Sequence, residues 1–247
     1  MKGIILSGAS GDRLHPITLG IPKQLIPIYN KPMIFYPLEM LVKLGIKDIL
    51  VITTADEQPL FRKALGDGNS FGCRLSYEVQ QYPNGIAEAI HIACNFIGSD
   101  SVCLITGDTI IEAPDFERQI HKAVRAADKS GSATIFVESK TYEGQYGRVL
   151  LDKNLKISNV IGKSDAPFYY SIASLYTFPK NVIKYASDLK PSERGLFEIT
   201  EVNKRYFLES KLLVQVLDSK CKWFDTNTFE NILQCAEYMK KKSMNNK

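Results

Sequence analysis

Short apolar runs alternate with amphipathic stretches along most of this chain. Strand-like runs at residues 3–6, 48–53, 74–79 and 101–106 are separated by stretches at 33–44, around 60–65 and 86–96 whose apolar residues recur three and four apart. Runs that stay apolar at successive positions suit strands covered on both faces, and the strand–helix–strand order predicts βαβ units on a largely parallel sheet. A helix is predicted at 115–130, followed by several strand-like pieces between 133 and 178 without long helices. Helices at 199–209 and 228–242 then flank strands at 212–216 and 222–225, and Asn245-Asn246-Lys247 is expected to fray. The predicted class is α/β, with a more mixed second half.

Composition narrows this picture. The 247 residues, 45% hydrophobic, suffice for one large domain, and no repeat, low-complexity segment or linker divides them. The net charge of +4 is spread out except at Lys240-Lys241-Lys242, which reads as a solvated helix end, so no basic stripe argues for nucleic acid. Five cysteines without a Cys-x-x-Cys pair sit mostly in apolar runs, which suits reduced, buried thiols and a cytoplasmic protein. The first apolar run meets Asp12-Arg13 too soon for a signal peptide, and no stretch supplies the roughly 18 apolar residues of a spanning helix, so no membrane partner is expected.

In open α/β sheets ligands bind beyond the carboxyl ends of the strands, so the residues after each run are the candidates for chemistry. After the first run, Gly8 and Gly11 let backbone N–H groups approach an anion, and Arg13 and Lys23 supply cationic donors. The spacing matches neither the P-loop nor the dinucleotide fingerprint. Taken alone, such a turn is as often structural as functional. Thr106-Gly107-Asp108 ends the fourth run, and Trp223-Phe224-Asp225-Thr226 ends a later one. Asp108 and Asp225 could share a Mg²⁺, which commonly takes only one or two protein oxygens; each could equally be a cap or turn residue. His15, His91 and His121 form no catalytic arrangement, which is consistent with phosphoryl-type transfer, where positioning and charge neutralisation suffice.

With these residues in view, the chain resembles the sugar-1-phosphate nucleotidylyltransferases, their thymidylyltransferase branch in particular. The likeness runs from Met1 to about Met239 and is most specific from Lys23 to Leu38, KQLIPIYNKPMIFYPL. Further matches are Leu65-Gly66-Asp67-Gly68, Val79-Gln80, Pro83, Gly85, Gly107-Asp108, Tyr146-Gly147, Leu189-Lys190-Pro191-Ser192, Arg194-Gly195, Glu198-Ile199-Thr200, Trp223 and Asp225-Thr226. The resemblance implies a three-layer nucleotidyltransferase fold with a Rossmann-like sheet. It also implies one domain over 1–247, with residues to about 110 binding nucleotide and those from about 111 to 242 binding the sugar phosphate.

The implied reaction is attack by a sugar phosphate on the α-phosphorus of a nucleoside triphosphate, dTTP or UTP, with release of pyrophosphate. Leu6, Gly8, Gly11, Asp12 and Gln24 would border the nucleotide, with Gln80, Pro83 and Gly85 at its base. Arg13 and Lys23 would neutralise the triphosphate, and Asp108 and Asp225 would hold Mg²⁺. Lys163 would grip the sugar phosphate, with Arg194 a second candidate, and Tyr146, Gly147 and Trp223 would wall the sugar pocket. A homo-oligomer is expected on family grounds.

Departures from the family pattern sharpen the questions. Ala9 and Asp12 replace a glycine and a threonine of the phosphate loop, and a carboxylate there repels triphosphate unless a cation intervenes. Asp12 would therefore recruit a metal, face away as a cap or ion-pair partner, or mark a loop that binds triphosphate poorly. Gly162-Lys163-Ser164 stands where the family has Glu-Lys-Pro, Ala173-Ser174 where it has Thr-Gly, and Asn227 where it has glycine. These motivate a rival reading, a weak or inactive relative that binds nucleotide or sugar phosphate as a sensor or partner subunit. The chain also ends before the C-terminal extension of longer members, so feedback regulation is not expected.

Overall fold

The structure is a computed structural model, and it describes residues 1–113, 116–139, 147–161, 169–217 and 220–245. In chain order the first half contains β1 (Lys2–Ser7), the short pair β2 (Pro27–Ile28) and β3 (Lys31–Pro32), α1 (Phe35–Lys43), β4 (Asp48–Thr53), α2 (Gln58–Leu65) and β5 (Arg74–Val79). It continues with α3 (Ile86–Ile92), α4 (Cys94–Ile97), β6 (Val102–Thr106) and β7 (Thr109–Glu112). The second half contains α5 (Phe116–Ser130), β8 (Ala133–Glu138), β9 (Arg148–Leu151), β10 (Ile157–Ile161), β11 (Tyr170–Phe178), α6 (Val182–Ser187) and α7 (Ile199–Leu208). It closes with β12 (Leu212–Val216), β13 (Lys222–Asp225) and α8 (Phe229–Asn245).

Nine strands form one sheet. Its path is β10-β9-β11-β6-β1-β4-β5, and β8 joins it through β11 and carries β12. β6, β1, β4 and β5 run parallel, whereas β11 is antiparallel to β6, β8 and β9. The Rossmann-like half and the mixed half are thus one continuous sheet. Ile4 and Leu6 of β1 enter the core under α3, α6 and α7, while Ile5 enters the core under α1, α2 and α5. Leu50 and Val51 of β4, and Leu104 and Ile105 of β6, divide in the same way. Burial on both faces is why these strands read as unbroken apolar runs.

A smaller core joins Leu14, Ile28, Met33 and Ile110 to Cys235 and Met239 of α8. The four cysteines Cys73, Cys103, Cys221 and Cys235 are buried and Cys94 is half-buried, and none is in a disulfide. Three expectations are corrected. The single helix at 86–96 is two, α3 and α4, because the chain leaves helical geometry at Ala93. Asn245 is helical, the last residue of α8, since no Pro or Gly interrupts the helix after Lys242, and Asn246 and Lys247 lie outside the described residues. Between Gly107-Asp108 and residue 115 the chain forms a further strand, β7. Among the described residues no helix is long and apolar enough to cross a membrane.

Candidate active site

The parallel strands β1, β4, β5 and β6 all end at one edge of the sheet, and a cavity of about 260 Å³ opens there. It is lined by Leu6, Gly8, Gln24, Gln80, Pro83, Gly85, Asp108 and Trp223, all candidates from sequence, and by residues such as Ile86, Thr106, Ser174 and Asn227. The two carboxylate-bearing segments meet because β7 and β13 form an antiparallel ribbon in which Asp225 faces Thr109, the residue after Asp108. The Thr226 hydroxyl locks this junction by donating to the Asp108 carbonyl at 2.9 Å.

Lys23 links the pair. Its Nζ donates to Asp108 Oδ2 at 2.5 Å and to Asn227 Oδ1 at 2.6 Å. Asn227 in turn donates its backbone N–H and its Nδ2 to Asp225 Oδ1, at 3.1 and 2.5 Å. The Lys23 side chain is 2% exposed, a placement that would cost several kcal/mol without such partners. Burial is the largest single influence on Asp108 and opposes its charge. The Lys23 ammonium and the hydrogen bonds from Lys23 and Thr106 together outweigh it, holding the carboxyl below its ordinary value. Asp108 and Asp225 are hard oxygen donors at adjoining strand ends, and the donor set fits Mg²⁺, whose remaining ligands come from phosphates and water. No cluster of three or more metal-ligating side chains exists among the described residues.

At the other end of the cavity Gln80 is buried and its orientation is fixed. Nε2 donates to the Gly85 carbonyl at 3.0 Å and to the Glu88 carboxylate at 2.7 Å. Both partners only accept, so the amide nitrogen must face them, and Oε1 lies on the side of Gly8. Gly85 enables this turn: it takes φ +110°, and a Cβ there would fall 2.4 Å from the Phe197 carbonyl oxygen. Glu88 was missed from sequence, although its place one turn into the helix after Gly85 is a usable signal.

The glycine loop is arranged differently from its sequence impression. Gly11 adopts φ +71° and packs on Thr18 and Lys23, Asp12 opens a short 3-10 turn, and Arg13 is exposed. Asp12 is 74% exposed, and its Oδ1 lies 3.8 Å from His15 Nε2. Neither Asp12 nor Arg13 lines the cavity, whereas Ala9 does. Gly147 packs against Thr200 and Ile172, and Arg194 pairs with Glu198 at 2.5 Å; neither lines the cavity. Tyr146 and Lys163 lie outside the described residues, as do Gly162 and Ser164.

Comparison with known proteins shows the family and the fold. Residues 2–242 match the family model described as nucleotidyl transferase. The glucose-1-phosphate thymidylyltransferase of Neisseria meningitidis is 40% identical over 240 residues, which is 97% of this chain and 82% of the relative. Its Mycolicibacterium smegmatis namesake is 41% identical over 241 residues, with the same 97% and 82% coverage. Among solved structures, a Bacillus anthracis chain named as a candidate glucose-1-phosphate thymidylyltransferase, crystallised with sucrose, superposes with a TM-score of 0.88 at 30% identity. That match covers 96% of this chain and 94% of the other. A UDP-glucose pyrophosphorylase complexed with UDP-glucose shares the fold, with a TM-score of 0.83, 21% identity and 98% of each chain covered. A family model matched over nearly the whole chain, and relatives at about 40% identity along it, show that the chain belongs to the nucleotidyl transferase family.

Proposed function

We propose that this protein condenses a pyrimidine nucleoside triphosphate, dTTP before UTP, with a sugar 1-phosphate and releases pyrophosphate. The observation that carries the reading is the fixed Gln80 amide. Its Oε1 is the acceptor left at the cavity end, and thymine and uracil present an N3–H donor where cytosine presents an acceptor. The thymidylyltransferase names of the relatives at about 40% identity support putting dTTP ahead of UTP in this reading.

In the reaction, an oxygen of the acceptor's phosphate forms a bond to the α-phosphorus. The bond to the bridging oxygen breaks, and pyrophosphate departs with that electron pair. Arg13 and Lys23 neutralise the triphosphate and the leaving group, and Lys23 is already held at the Asp108 end of the cavity by two hydrogen bonds. Mg²⁺, held by Asp108 and Asp225, would supply Lewis-acid polarisation and further charge neutralisation. Lys163 holds the acceptor phosphate on this reading, with residues to about 110 serving the nucleotide and those to about 242 the acceptor.

The test is pyrophosphate release by wild type and Gln80→Leu with dTTP and glucose 1-phosphate. Loss of one buried acceptor predicts a fall in kcat/KM for dTTP of about 10- to 100-fold, equivalent to roughly 1.4–3 kcal/mol. Equal activity in the variant would sink the assignment of Gln80 to the base.

A further inference from the structure

Ser174 lies within β11 with φ +51°, the left-handed region that serine rarely enters. The register of β11 against β8 slips between Ile172 and Tyr176, so Ser174 sits in a bulge. It is 8% exposed, and it lines the strand-edge cavity. Glycine would adopt this backbone without cost, yet a side chain is present. Bulges commonly re-aim a side chain beside a functional site.

Its place along the sheet edge says which substrate it meets. Gln80 follows β5, Gly8 follows β1 and Asp108 follows β6, and β11 is the next strand beyond β6. Leu175 pairs with Ile105, which sets Ser174 beside Thr106 and the Asp108 turn. If the base is at Gln80 and the reacting phosphorus near Asp108, the remaining wall at β11 faces the acceptor. Ser174 is part of this wall, and its hydroxyl oxygen carries lone pairs that can accept from a substrate hydroxyl.

We infer that Ser174 is a specificity-determining residue for the acceptor, accepting a hydrogen bond from a sugar hydroxyl and closing the space that a glycine would leave open. The inference rests on the nucleotidylyltransferase reading above. Steady-state kinetics of wild type, Ser174→Ala and Ser174→Gly, with glucose 1-phosphate and the bulkier N-acetylglucosamine 1-phosphate, test it alongside melting temperatures.

Ser174→Ala should raise the acceptor KM at least fivefold while the dTTP KM stays within twofold. Ser174→Gly should raise the ratio of kcat/KM for the bulkier acceptor over glucose 1-phosphate at least tenfold. Its melting temperature should hold or rise, because the strained backbone is relieved. An active wild type whose variants keep the same acceptor KM and the same ratio would overturn this inference alone. Parallel rises in both substrates' KM with a lowered melting temperature would also overturn it, as the mark of a merely structural residue. A wild type releasing no pyrophosphate with any pair would overturn the underlying reading and this one together.

Discussion

At the scale of single residues, the site depends on a lysine buried against a carboxylate. Lys23→Met leaves Asp108, 19% exposed, without its cation, which should cost about 2–3 kcal/mol in denaturant unfolding and at least 100-fold in kcat. The folded value of Asp108 lies below its unfolded one, so the stabilisation is fully present above the ordinary carboxylate range, near 4. It is lost as pH falls through the lowered folded value. Unfolding free energies measured from pH 7 down to 3 should therefore fall more steeply for wild type than for Asp108→Asn, and parallel curves would contradict the coupling. Asp12 is the opposite case. Its pair with His15 is exposed, so Asp12→Ala should change stability by less than about 0.5 kcal/mol and the dTTP KM by less than threefold.

At the scale of elements, Gly85 at the proposed base end is the sharpest dependence. Gly85→Ala combines an unfavourable φ of +110° with a contact 2.4 Å from a backbone oxygen, and neither can relax cheaply. A loss of about 2–3 kcal/mol is expected, with a dTTP KM raised as Gln80 loses its Gly85 partner. Thermal unfolding and nucleotide titration of this variant check both effects.

The same elements show what was legible beforehand. β4, β5, β12 and β13 begin and end where their strand-like patterns do. Strand ends in a parallel sheet then point to Gly8 and Asp108 from order alone, whereas Gln80 is legible only through the family resemblance. β7 was hidden because four residues after a Gly-Asp turn carry no period, and its partner β13 lies more than 100 residues away. The bridge from Lys23 through Asn227 to Asp225 was hidden for the same reason: hydrogen bonds between distant loops leave no local pattern.

At the scale of the whole molecule, one sheet runs through both halves, so the proposed base end and the proposed acceptor end are spaced by hydrogen-bonded strands. A nucleotide that binds only the folded state should then stabilise the entire domain, by about 2.7 kcal/mol at 100 times its dissociation constant. dTTP should raise the melting temperature in one transition, and ATP at equal concentration should not. The most direct measurement is the initial rate of pyrophosphate release by the purified protein with Mg²⁺ and glucose 1-phosphate, across dTTP, UTP, CTP, ATP and GTP. Release with dTTP and UTP at least 100 times faster than with the other three is the expected result; silence with every nucleotide, or a preference for a purine or for CTP, would contradict it.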